Sequence, residues 1–198
     1  MKTESLLEAA IQGDSLLVRE ILQQGTDPDS KDQHGETALT WAAHLGHTGV
    51  VKDLLAAGAN RETIGQFLSA PPLLLAAHRG HRGIVALLAV LSDVNARNSR
   101  GATALMLTLE PAGTLPKPAH RMIPIIETLL HAGAEINLQD QEGDTALMVA
   151  ACWGHLDAAR VLLMAGADPH LKNHAGQTAL TLARQNQTPE WVTLLENP

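Results

Sequence analysis

The chain has 198 residues, 45% of them hydrophobic, and a formal net charge of −7. That is enough apolar material for a sizeable core, and the acidic balance sets the molecule as a whole against nucleic acid and anionic membranes. A single cysteine, Cys152, excludes an intrachain disulfide and a cysteine-built zinc site, while aromatics at 2%, with no Tyr and one Phe, leave the core to Leu, Ala, Ile and Val.

The opening MKTESLLEAAIQGD has no apolar stretch of signal-peptide length, and no run approaches the ~18 apolar residues of a membrane span. The expectation is a soluble cytoplasmic protein. From there the chain repeats itself. Gly13 and Gly25 return 33 residues later as Gly46 and Gly58. Thr37-Ala38-Leu39 opens a helical pattern that ends at Gly46-His47, and Leu54-Leu55 belongs to a second pattern that ends at Gly58-Ala59. Pro71-Pro72 stands where the next Thr is due, followed by Gly80-His81 and Leu87-Leu88. Thr103-Ala104-Leu105 starts the next copy, which is interrupted by EPAGTLPKPAHRMIP before Leu129-Leu130 and Gly133-Ala134. Thr145-Ala146-Leu147, Gly154-His155, Leu162-Leu163 and Gly166-Ala167 follow in order, and Thr178-Ala179-Leu180 and Leu194-Leu195 close the series.

Residues 143–175 show the physics of one copy. Gly143 allows a tight turn, Thr145 caps a first helix through its hydroxyl, and Leu147, Ala150 and Ala151 mark one face at helical spacing. Alanine lets neighbouring helices approach closely. Gly154 ends that helix in the left-handed conformation; a second helix buries Ala158, Ala159, Leu162 and Leu163, and Gly166 ends it in turn. One helix pair cannot cover its own apolar face, but stacked copies can.

These units resemble ankyrin repeats, whose period is 33 residues with a T-P-L-H-x-A signature. The resemblance implies an all-α solenoid of stacked helix-turn-helix units joined by short β-turn loops, forming a single domain over 1–198. Its units lie at about 3–31, 32–64, 65–97, 98–139 and 140–172, with a C-terminal cap at 173–198. In the cap, Arg184, Gln185, Asn186 and Gln187 suit an end facing water. The family's motif histidine is replaced by Thr40, Leu74, Met106, Met148 and Thr181, and the third unit loses its hydroxyl cap to Pro71. Leu105 to Leu147 spans 42 residues, about nine more than the period. Pro111, Pro116, Pro118 and Pro124 argue against a continuous helix there, so an exposed loop is expected near 111–121, open to proteases near Lys117 or Arg121. Trp41 and Trp191 are expected in the core.

The chain offers little chemistry. His44 with His47, and His78 with His81, are three residues apart and would share a helix face, but the Gly-His turns call for rings that bond nearby backbone, and no metal site is expected. Cys152 beside Trp153 and His155 lacks the pocket and base of a nucleophile, and no phosphate-binding, dinucleotide or zinc-protease motif occurs. Arg61, Arg79, Arg82, Arg97 and Arg100 gather without the interleaved aromatics that stack bases. The reading is therefore a monomeric, non-enzymatic adaptor, inhibitor or neutralising partner of another protein, without cofactor. Small stand-alone bacterial ankyrin proteins, which it resembles, occur as accessory, stress-related or toxin-neutralising partners. The alternative is a stress-related or regulatory factor holding a metal or ligand.

The resemblance also implies a binding face of loop tips and first-helix surfaces lining a concave groove. Carried onto this chain, the tips are Gln33, His34 and Glu36, then Phe67 and Ala70, then Ser99, Arg100 and Ala102, then Gln141, Glu142 and Asp144. The helix surfaces contribute His44 and Leu45, His78 and Arg79, and Cys152 and Trp153. Exposed Trp and Arg are common interface anchors, which singles out Trp153, Arg79 and Phe67.

Overall fold

A computed structural model describes residues 5–112, 118–185 and 189–196. The described residues form twelve helices, which pair in chain order. The pairs are α1 (Leu6–Gln12) with α2 (Ser15–Gln23), α3 (Ala38–Leu45) with α4 (Thr48–Ala56), and α5 (Pro72–Arg79) with α6 (Arg82–Leu88). They continue with α7 (Ala104–Leu109) and α8 (Ala119–His131), α9 (Ala146–Trp153) and α10 (Leu156–Met164), and α11 (Ala179–Gln185) and α12 (Pro189–Glu196). The odd-numbered helices pack on one another in series, and the even-numbered helices form a second layer behind them. Two isolated β-bridges, Lys31 with Thr37 and Arg97 with Thr103, are the only extended pairings among the described residues.

Local chemistry sets each helix. The hydroxyls of Thr37, Thr103 and Thr145 accept from the backbone N–H of Thr40, Met106 and Met148, capping α3, α7 and α9. Pro71 leaves α5 without such a cap, and Pro72 at its first position has no N–H that would need an acceptor. Gly46 and Gly154 end α3 and α9 in the left-handed conformation. Fully buried alanine pairs, Ala42-Ala43, Ala76-Ala77 and Ala150-Ala151, bring the odd-numbered helices together, and the buried Val50, Ile84, Ile125 and Leu162 seat the second layer.

A histidine ladder then locks copy to copy. The Nε2–H groups of His47, His81 and His155 donate to the carbonyls of Ile11, His44 and Leu109, at 3.0, 3.1 and 3.1 Å, each in the last turn of the odd-numbered helix one copy earlier. A side chain at Gly46 would meet the His81 ring at 2.6 Å, so the Gly-His pair is needed both to end a helix and to admit the next ring. In the loops, the Oδ1 atoms of Asp32, Asn98, Asp140 and Asn173 each accept backbone N–H groups two and four residues on.

The fourth copy departs from the others. α7 has six residues and runs into extended backbone at Glu110 rather than a left-handed glycine. α8 has 13 residues and begins at Ala119, so Arg121 and Pro124 are helical; the expected loop of 111–121 is shorter at its C-terminal end. Pro124 is accommodated inside α8, where its carbonyl accepts from the Thr128 hydroxyl at 2.7 Å. Pro116 and Lys117 of the expected loop, and Asn186 and Gln187 of the expected cap, lie outside the described residues. Arg184 and Gln185 are exposed, and Trp191 is buried as expected, at 1% exposure. Trp41 is not a core residue. It is half-buried, stacks on Phe67 at 5.9 Å between ring centroids, and points its Nε1–H towards Asp32. No described helix is long and apolar enough to cross a membrane.

Candidate partner-binding surface

The loops and the odd-numbered helices bring the expected binding residues into two groups. Towards the N-terminus lies an aromatic group. Phe67 is 67% exposed, stacked on Trp41, with the His34 ring 6.3 Å away; the His44 ring meets the edge of Trp41 at 6.2 Å. Leu45 is exposed beside it.

Glu36 was expected at this surface but is wholly buried beneath it. The third copy has Gly65 where other loops carry Asp or Asn, so the 65–70 segment lacks its internal acceptor. Glu36 supplies one from the preceding copy: its Oε1 accepts from Leu68 N–H at 2.7 Å, and His34's carbonyl accepts from Gln66 N–H at 2.8 Å. Phe67 is thus held outward by a buried carboxylate. Ala70 and Ala102, also expected at the tips, are buried, because small residues there pack under the following helix start.

His44 and Arg79 form a unit rather than two separate anchors. Arg79 Nη2 donates to His44 Nε2 at 2.7 Å, and its Nη1 donates to the Ala112 carbonyl at 3.3 Å, tying the start of the insertion to α5. Accepting at Nε2 puts the imidazole proton on Nδ1, which is buried without a hydrogen-bond partner among the described residues. Burial first, then the positive charge of Arg79 and the neighbouring His78 and His81, pull the His44 pKa down to about 4. Burial also lowers that of His81, against its hydrogen bond to the His44 carbonyl. His78 is half-buried in the last turn of α5.

The second group lines a cleft of about 570 Å³ formed by Arg100, Glu110, Pro111, Asp140, Gln141, Glu142, Asp144, Val149, Cys152 and Trp153. Trp153 is 50% exposed in the last turn of α9. Arg100 is paired with Glu110 at 2.9 Å, and Asp144 accepts from the Asn173 amide at 2.8 Å. Burial, and next the charge of Asp144, raise the Cys152 pKa. The sequence reading missed Trp41 in the aromatic group, and Glu110, Pro111, Asp140 and Val149 in this cleft, as site residues. The D/N-x-x-G spacing at Asp32, Asn98, Asp140 and Asn173 was the available signal for the loop acceptors. No group of three or more His, Cys, Asp or Glu side chains arranged to hold a metal occurs among the described residues.

A family model described as ankyrin repeats (3 copies) matches residues 6–89 and 119–197, most of the chain. The chain belongs to the ankyrin-repeat family. The stretch this ankyrin match omits, 90–118, contains the short α7 and the insertion. Among solved structures the chain is similar to the ankyrin repeat protein EF0377, with a TM-score of 0.86 and 30% identity over 100% of this chain and 98% of that one. It is also similar to the ankyrin repeat domain of Bcl-3, a member of the IkappaB family, with a TM-score of 0.79 and 26% identity over 95% of this chain and 81% of that one. Among curated relatives it is 28% identical over 134 residues to the putative palmitoyltransferase ZDHHC13 of Danio rerio, covering 67% of this chain and 19% of that protein. The chain spans under a quarter of the length of the curated relatives it matches. Ankyrin repeats indicate a protein–protein interaction module on a fold that is generally a non-enzymatic scaffold.

Proposed function

We propose that this ankyrin-repeat protein acts as a monomeric, non-enzymatic binding partner in the cytoplasm, an adaptor or inhibitor that holds another protein against the face formed by its loops and odd-numbered helices. The observation that carries this reading is the outward placement of its two large exposed aromatics on that face. Phe67 is propped by the buried Glu36, and Trp153 stands over a cleft. Large rigid side chains held in place lose little entropy on binding and dominate interface energetics. Arg79 and Arg100 position the insertion and Glu110, so their contribution to binding is indirect.

Capture from a native extract on immobilised wild-type protein, compared with capture on Phe67→Ser, Trp153→Ala and the double variant, tests this. A specific protein should be retained by the wild type, reduced on each single variant and lost on the double. Retention of the same protein by all four baits would move the site off this face.

A further inference from the structure

We propose that the cleft around Trp153 takes the cationic side chain of a basic segment of a partner protein, an arginine or lysine laid over the indole and flanked by Glu142 and Asp144. This rests on the reading of the face as a partner-binding surface and specifies the chemistry of its C-terminal half.

The charge inventory of the cleft is one-sided. Four carboxylates, Glu110, Asp140, Glu142 and Asp144, line it against one basic residue, Arg100, and that one is engaged by Glu110. Asp140 turns one oxygen to the backbone N–H groups of Glu142 and Asp144, and Asp144 turns one to the Asn173 amide. These bonds fix the carboxylates in place without neutralising them. Glu142 is exposed at the rim.

The helix beneath points the same way. Cys152 and Trp153 occupy the last turn of α9 and both line the cleft. That turn, like those of α1 and α7, holds no basic residue, so the negative end of the α9 dipole lies beside the cleft with no cation on its own last turn. The Asp144 carboxylate stands close enough to the Cys152 thiol to add to the rise that burial gives its pKa. The half-exposed Trp153 supplies the remaining element, because the face of an indole attracts a cation within ~6 Å of its centre. An acidic or phosphorylated segment would meet the carboxylates head-on.

The test uses the full chain and a defined probe: an acetylated and amidated Gly/Ser dodecapeptide with Arg-Leu-Arg at its centre. The control carries citrulline, uncharged and of the same shape, in place of both arginines. The Trp153 indole N–H signal is followed by NMR and assigned with Trp153→Phe. The arginine peptide should shift it saturably and the citrulline peptide should not. Added salt should weaken the binding, and Glu142→Gln should weaken it roughly two- to fivefold. Glu142 is exposed, so this variant should fold as the wild type does. Absence of a saturable shift, an equal response to citrulline, or indifference to Glu142→Gln would each overturn the proposal. If the arginine peptide leaves Trp153 unmoved while Trp153→Ala still loses the native partner, the cationic assignment fails and the binding face stands. If the peptide binds as expected while capture ignores Trp153, the cleft chemistry stands and the functional reading fails.

Discussion

Replacing Gly65 by alanine should destabilise this protein through a side chain in a different copy. Gly65 is buried, and its φ lies outside the left-handed region, so the backbone accepts alanine. Space does not: the new Cβ would sit 2.1 Å from the Glu36 carboxyl carbon and Oε1, and 2.4 Å from Oε2. The carboxylate must retreat by more than an ångström, which breaks its 2.7 Å bond to Leu68 N–H. Losing that acceptor costs about 1–2 kcal/mol, and crowding a packed site costs about 1–3 kcal/mol. Gly65→Ala should therefore cost about 2–5 kcal/mol in urea unfolding followed by far-UV circular dichroism. Glu36→Ala alone should cost about 1–2 kcal/mol, since only the acceptor is lost. With the carboxylate gone the new methyl meets no clash, so the double variant should cost little more than Glu36→Ala. The cycle should show a coupling of about 2–5 kcal/mol, essentially the whole cost of Gly65→Ala. Costs that add to within about 0.5 kcal/mol would refute the claim that Glu36 fills the space over Gly65.

The two tryptophans at 153 and 191 should separate binding from stability. Trp191→Ala should cost about 3–5 kcal/mol because the side chain is buried in the C-terminal pair, and denaturant midpoints would show a smaller loss if the cap were loosely packed. Trp153→Ala should stay within about 0.5 kcal/mol of wild type in the same assay, yet weaken partner binding by at least about 1–2 kcal/mol by calorimetry. The histidines predict a pH dependence. Folded His44 has its pKa lowered from 6.5 to about 4, so between those values the unfolded chain takes up a proton that the folded chain refuses. Its contribution to stability is present above pH 6.5 and is lost as pH falls towards 4, and the lowered pKa of His81 acts in the same direction. Melting temperatures should fall across that window, and His44→Gln should flatten the profile; an unchanged slope in the variant would place the titration elsewhere.

The repeats, their helix pairs and the caps were legible in the sequence because each rests on residues close together in the chain. Thr37 reaches Thr40, and Gly46 ends the helix it follows. The Gly-His turns could be read as backbone-bonding, but the acceptor, a carbonyl one copy earlier, emerged only from stacking. The failures have the same cause. Glu36 has the sequence position of an exposed loop residue and became buried because the next copy has Gly65 where an Asp or Asn would have supplied an acceptor. Trp41 lies on a helix whose apolar pattern suggests core, but Phe67 from the following copy draws it into a surface aromatic group. Pro124 signalled a break, yet α8 runs through it, with Ile125, Ile126 and Leu129 buried in the second layer. By itself the sequence determined a helical solenoid and its helix stops, because turn chemistry and helical periodicity act within one copy. Burial of charge, pairing of aromatics and the carboxylate-lined cleft under Trp153 were decided by the tertiary structure, because each depends on what the adjacent copy places within a few ångströms.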